Sequence, residues 1–194
     1  MRLLISGARW FASRWRNGWY RLLGVRMDGY CWLRAVEIPD HWDCIHLGEG
    51  VALDRGVVLQ ISCRVPGSLL EIGAGTYVNR GTYFDAHLEM RVGRSCLIGP
   101  NCYFTDANHG RVPGAPVIGQ NMETKPVIIG DNVWIGAHCI VLPGVTIGDG
   151  AVIGAGSIVT RSIPAGALAY GSPARVARMM HSTGESTTGS DAGS

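Results

Sequence analysis

The chain has 194 residues, 28 of them glycine, and a formal net charge of only +2. That length is one domain's worth, with a core large enough to need neither disulfide nor metal, and so small a net charge carries no strong polyanion-binding signal and points to no nucleic-acid partner. Glycine at about twice its average share of roughly 7% points to repeated tight turns.

Charge is unevenly placed along the chain. Residues 1–26 carry Arg2, Arg9, Arg14, Arg16, Arg21 and Arg26 without one acid, which leaves 11 of the 17 cations to face all 15 acids. Phe11, Trp15 and Trp19 recur every fourth residue, on one side of a helix, with Arg14, Arg16 and Arg21 around the polar flank. Residues 1–40 are therefore expected to form a basic, aromatic segment whose helix packs on the end of the next domain. Peripheral contact of residues 1–26 with an anionic membrane surface is the second reading. No apolar run is long enough to span a bilayer, and none resembles a secretory h-region with a small-residue cleavage site. The expected location is cytoplasmic, peripheral at the inner face of the cytoplasmic membrane under the second reading.

From residue 41 to 171 an aliphatic residue returns every sixth position. Leu47, Leu53 and Leu59 make a degenerate start; Ile72, Val78 and Phe84 follow, then, after a slip of two, Val92, Ile98 and Phe104. The series resumes as Ile129, Ile135, Val141, Ile147, Ile153 and Val159, and glycine follows at Gly73, Gly93, Gly99, Gly130, Gly136, Gly148 and Gly154. A period of six fits neither an amphipathic helix nor an alternating strand. It predicts a parallel β-helix of hexapeptides, three to a coil, with coils stacked about 4.8 Å apart and one apolar side chain per short strand filling the core. Cys96, Cys102 and Cys139 sit four places after Val92, Ile98 and Ile135, in a slot that elsewhere holds Thr76, Thr82, Val145, Ala151 and Ser157. The slot takes small inward side chains, so the cysteines are read as core rather than as disulfides, ligands or nucleophiles.

Residues 110–126 lack the repeat and contain Pro113, Gly114, Pro116, Gly119 and Pro126, which predicts a loop extruded from the array. Ser172-Pro173 supplies an N-cap and first-turn proline for a short C-terminal helix over 172–180. Residues 181–194, rich in Ser, Thr and Gly, are expected to be disordered. His109 stands directly before the loop, held at its base and open at its tip, where an imidazole suits general-base work around neutral pH; an exposed turn histidine is the other reading of the position.

Several stretches together resemble the hexapeptide-repeat acyltransferases, in the branch of galactoside, maltose and polysaccharide O-acetyltransferases. They are Tyr77-Val78-Asn79, Asp106-Ala107-Asn108-His109-Gly110, Asp131-Asn132-Val133-Trp134-Ile135-Gly136, Gly154-Ala155-Gly156-Ser157-Ile158-Val159-Thr160 and Gly171-Ser172-Pro173-Ala174-Arg175. The resemblance implies a left-handed β-helix, a homotrimer with its site between two subunits, and acetyl-CoA as acyl donor with no metal. It implies His109 as general base, Asn79 and Asp85 as acceptor contacts, and the backbone N–H of Ala137 as oxyanion donor. It assigns acetyl-CoA to Trp134, Ala155, Thr160, Arg161, Arg175 and Arg178. Of the four cations after Arg111, three (Arg161, Arg175, Arg178) fall where the family binds nucleotide phosphates. The implied reaction is acetyl transfer to a hydroxyl of a sugar or of an envelope or exopolysaccharide precursor. The N-terminal segment departs from the sugar-acetylating relatives: their acidic sugar contact has no counterpart before Asp28, which favours a larger, lipid-linked or nucleotide-linked glycan over a free galactoside. An N-acyltransferase of an amino sugar, nucleotide sugar or antibiotic is the alternative. A zinc enzyme of the γ-carbonic-anhydrase type would need a His-x4-His pair, which the sequence lacks, and the complete Asn79, His109 and Trp134 set argues against a non-catalytic scaffold.

Overall fold

A computed structural model describes residues 2–62 and 69–180, with side chains from Phe11 onward. Cys63 and the tail over 181–194, read above as disordered, lie outside the described residues. Short parallel strands stack into three faces of a left-handed prism. The first face holds Arg26–Met27, Ile45–Leu47, Leu70–Ile72, Met90–Val92, Val127–Ile129 and Thr146–Ile147. The second holds Trp32–Leu33, Ala52–Leu53, Tyr77–Val78, Leu97–Ile98, Trp134–Ile135, Val152–Ile153 and Ala167–Gly171, with Ala174–Met179 at its edge. The third holds Val58–Ile61, Tyr83–Ala86, Tyr103–Thr105, Ile140–Val141 and Ile158–Val159.

The sixth-residue series is the core. Leu47, Ile72, Val92, Ile129 and Ile147 pair in register up the first face. Leu53, Val78, Ile98, Ile135 and Ile153 do so on the second, and Leu59, Phe84, Phe104, Val141 and Val159 on the third. All are buried, and Phe84 stacks on Phe104 with ring centroids 4.7 Å apart. Three places after each core residue of the first and second faces the chain turns with positive φ, as at Gly75, Gly81, Asn101, Asn132, His138 and Gly156. Four places after, the small slot closes the corner: Thr82 Oγ donates to Gly99 O at 3.0 Å and accepts from Cys102 N, whose own thiol donates to Gly136 O at 3.1 Å. Ile135 is 0% exposed, so Ile135→Asp would set an unpaired carboxylate in that column. It should abolish soluble expression; a soluble variant with the unaltered melting profile would show the assigned phase to be wrong.

Two boundaries differ from expectation. The stack begins at Arg26 rather than residue 41, because Met27 and Leu33 pair with Leu47 and Leu53. The segment 172–180 is not a helix: Ala174–Met179 runs antiparallel to Ala167–Gly171, with a cis Ser172–Pro173 peptide in the turn. The last parallel strand leaves an open row of N–H and C=O groups, and a returning strand satisfies them where a short helix would not.

The N-terminal helix, Arg2–Leu23, lies across the other end. It docks through its polar side. Asn17 Nδ2 donates to Cys31 O at 2.7 Å while its Oδ1 accepts from Cys31 N at 3.0 Å; Leu33 N donates to Ser13 Oγ at 3.1 Å and Tyr20 OH to Val36 O at 2.8 Å. These are the edge groups of the first coil, so the helix caps the prism by hydrogen bonding. No helix among the described residues is long and apolar enough to cross a membrane.

Candidate functional site

A groove of about 540 Å3 runs along the outside of the second face, lined by Leu97, Trp134, Val152 and Leu168 on the strands and by Asn79, Pro100, Ala137 and Ala155 where the chain turns toward the third face. Leu97, Trp134 and Val152 stand in one register row, with Trp134 half exposed as its wall. Gly99 and Gly136 let successive coils close beneath it: a Cβ on Gly99 would lie 2.6 Å from Ala137 N, and one on Gly136 2.5 Å from Ala155 N. The Ala137 N–H has no acceptor among the described residues. Asn79 does what a turn asparagine does, its Oδ1 accepting from Arg80 N at 2.8 Å, yet its amide NH2 has no acceptor among the described residues. The structure thus brings Asn79, Trp134, Ala137 and Ala155 together, with two donors available.

His109 is elsewhere. The extrusion read as a loop over 110–126 is partly a ribbon: Ala107–His109 pairs antiparallel with Met122–Thr124, His109 facing Met122. Between them the loop is tied by Gln120, whose Oε1 accepts from Val112 N and whose Nε2 donates to Pro116 O, both at 2.8 Å. The ribbon leaves the prism where the third face turns into the first, so the full width of the third face separates exposed His109 from the groove. Its base is fixed by Asp106, which is wholly buried and accepts from the N–H groups of His87, Leu88 and Glu89 at 2.8 Å each. Sequence reading gave Asp106 no role of its own within the motif it opens, although a carboxylate just after a third-face strand was its signal.

Asp85 lies outward on the third face, between the two corners. It accepts from Tyr103 OH at 2.9 Å and Ser62 Oγ at 3.3 Å, and pairs with His87 Nε2 at 3.2 Å. Burial and then the hydrogen bond to Asp85 push Tyr103 up to about 12. Tyr103, Ser62 and His87 escaped the sequence reading because only the stacking of three coils puts them around one carboxylate.

Arg175 and Arg178 occupy the edge strand of the second face, opposite Tyr170 and Leu168, and therefore continue the groove's own sheet. Thr160 and Arg161 follow the last third-face strand and are both exposed, at the His109 corner rather than in the groove. Burial pushes the thiols of Cys31 (to about 11) and Cys96 up, and a hydrogen bond with Cys139, then burial, raises that of Cys102, which suits core residues rather than nucleophiles. His87, His109 and His138 stand apart, and no three His, Cys, Asp or Glu among the described residues converge on one point.

Residues 126–161 match the family described as the hexapeptide repeat of succinyl-transferase. The chain is 42% identical to galactoside O-acetyltransferase of Escherichia coli K12 over 114 residues, 58% of this chain and 55% of that protein. It is 38% identical over 157 residues to WbbJ of the same organism, named for lipopolysaccharide biosynthesis O-acetyl transfer, covering 75% of this chain and 74% of that one. A hexapeptide-repeat-containing acetyltransferase of Vibrio cholerae O1 biovar eltor, solved with acetyl coenzyme A, superposes with a TM-score of 0.57 at 30% identity over 65% of this chain and 69% of that one. The chain spans about half the length of the galactoside acetyltransferases it matches.

Proposed function

This chain belongs to the hexapeptide-repeat acyltransferase family, and from that premise we propose that it transfers the acetyl group of acetyl-CoA to a hydroxyl of a polysaccharide precursor. The observation that carries the reading is the groove, a narrow apolar track with an available N–H at Ala137 beside Trp134. The pantetheine arm lies along Trp134 and Ala155, and the nucleotide phosphates lie toward Arg175 and Arg178. His109 takes the proton from the acceptor hydroxyl as its oxygen attacks the thioester carbonyl carbon. The Ala137 N–H receives the negative charge that gathers on the carbonyl oxygen, and the amide of Asn79 and the Asp85 carboxylate orient the acceptor. The tetrahedral intermediate collapses with cleavage of the C–S bond. The leaving thiolate takes the proton from the imidazolium, giving the acetyl ester and CoA.

Because His109 and the groove occupy different corners of one chain, the reading requires a second copy. A homotrimer sets the groove of one protomer against the corner of the next that carries His109, Thr160 and Arg161. Co-expression tests this directly. His109→Ala and Ala137→Pro, which deletes the N–H, should each be inactive alone. Randomly mixed trimers should regain roughly a quarter of the sites, and no recovery would place both residues in one protomer's site. The acceptor is tested with glycan and amino-sugar substrates in parallel, following thiol release, with ester rather than amide formation expected. Charge reversal at Arg175 or Arg178 should raise the KM for acetyl-CoA more than that for the acceptor; the opposite pattern would put the cofactor at the wrong end.

A further inference from the structure

The helix Arg2–Leu23 spends its polar side on the prism, so its other side needs an account. Along that side Trp15, Trp19 and Leu22 are 67, 45 and 79% exposed, in line with Phe11 at 69%. Trp15 and Trp19 stack on each other with centroids 5.7 Å apart. Spacings of four, four and three residues keep the four side chains on one ridge. Arginines flank it. Arg14 and Arg21 lie on one side, Arg14 over the Tyr30 ring at 5.6 Å and Arg21 donating to Gly29 O at 2.6 Å; Arg16 lies on the other, donating to Leu33 O at 3.3 Å. Each is held back by a contact to the first coil, which leaves the ridge to lead.

Direction follows from the hydrogen bonds. Strands of a β-helix bond along the stacking axis, and the helix takes up the last unpaired groups at that end. The ridge therefore faces outward along the axis, away from every coil. Tryptophan and leucine flanked by arginine, on a helix lying flat, is the composition that seats in the boundary between headgroups and acyl chains. Six arginines and no acid over residues 1–26 add attraction to negative headgroups. The same charge disfavours a second copy as the occupant, since two such faces meeting would set arginine flank against arginine flank.

We infer that the outward ridge of the N-terminal helix docks this protein in the plane of an anionic phospholipid surface. The inference is independent of the acyl-transfer reading. It is tested on the full chain by sedimentation with vesicles of phosphatidylcholine containing about a third phosphatidylglycerol, against phosphatidylcholine alone. Binding should favour the anionic vesicles by about tenfold or more and weaken as salt rises from about 0.05 to about 0.5 M. Trp15→Ser with Trp19→Ser should reduce binding at least about tenfold while thiol release with a soluble acceptor stays unchanged, because neither residue touches the prism's polar contacts. Independently of any variant, brominated lipid should quench the tryptophan fluorescence of the unaltered chain. Absence of quenching, or equal partition onto both vesicle types, would overturn the inference. So would light scattering in which the double variant loses its oligomeric state, which would make the ridge a contact between copies.

Discussion

His109→Ala should lower turnover by about 10²–10⁴-fold, the usual contribution of a positioned general base, with the KM for acetyl-CoA nearly unchanged. The substitution is clean because the backbone of the ribbon is paired on both sides of the residue, Asn108 with Glu123 before it and Gly110 N donating to Asn121 O after it. Removing the ring leaves those pairings intact. The thioester, on the proposed reading, lies in the groove at the far edge of the third face. Loss of rate without loss of acetyl-CoA binding is therefore the expected signature, read by steady-state kinetics with a measured acceptor. His138→Ala is the control. His138 fills a turn position with φ of 57°, and turnover there should stay within about twofold of the unaltered enzyme if the fold is kept. Near-normal turnover in His109→Ala would remove the mechanism; lost acetyl-CoA binding would make His109 a cofactor contact.

The parts of this fold that a sequence can reveal are those set by one repeated demand. One aliphatic side chain per strand fills each column, so the phase of Ile72 to Val159 is visible without coordinates. The turn and small-side-chain slots follow at fixed offsets from it. The first coil escaped notice because Met27 and Leu33 are followed by Asp28 and Arg34 instead of glycine, although their spacing of six and Cys31 in the small slot were present. The C-terminal error had a different cause. Ser172-Pro173 is a sound local helix-start signal, but the open edge left by Ala167–Gly171 is a non-local demand that overrides it. The docking of the N-terminal helix was legible as a helix and not as an orientation. Its aromatic periodicity is plain, whereas the need of Cys31, Leu33 and Val36 for hydrogen-bond partners exists only once the first coil is seen to end a stack. For the site, the phase assigns His109 to the turn after a third-face strand and Ala137 to the turn after a second-face strand. Knowing that these are different corners requires knowing the order of the faces.

Asp106 gives the largest expected change in stability from a polar residue. Its Oδ1 accepts from His87 N, and its Oδ2 from both Leu88 N and Glu89 N. Asp106 is 0% exposed. Asp106→Ala would leave three half-buried N–H groups without their acceptor, each costing up to about 1–3 kcal/mol, for a loss of about 3 kcal/mol. Asp106→Asn separates shape from bonding. Asparagine fills the same volume but offers one oxygen, so its NH2 must face at least one of the three donors. It should therefore rescue little of the loss, as read by chemical or thermal unfolding. The functional consequence follows from the strand that Asp106 immediately precedes, Ala107–His109. Lys125 N donates to Asp106 O at 2.8 Å, so the same residue ties both legs of the ribbon to the prism. Loosening it should lower the turnover of whatever protein remains folded, because His109 must be held to a fraction of an ångström to act as a base. Acetyl-CoA affinity should be spared. An Asp106→Asn variant as stable and as active as the unaltered chain would show that the three bonds do not hold the ribbon's base, and the positioning of His109 would then rest on the ribbon's own pairing.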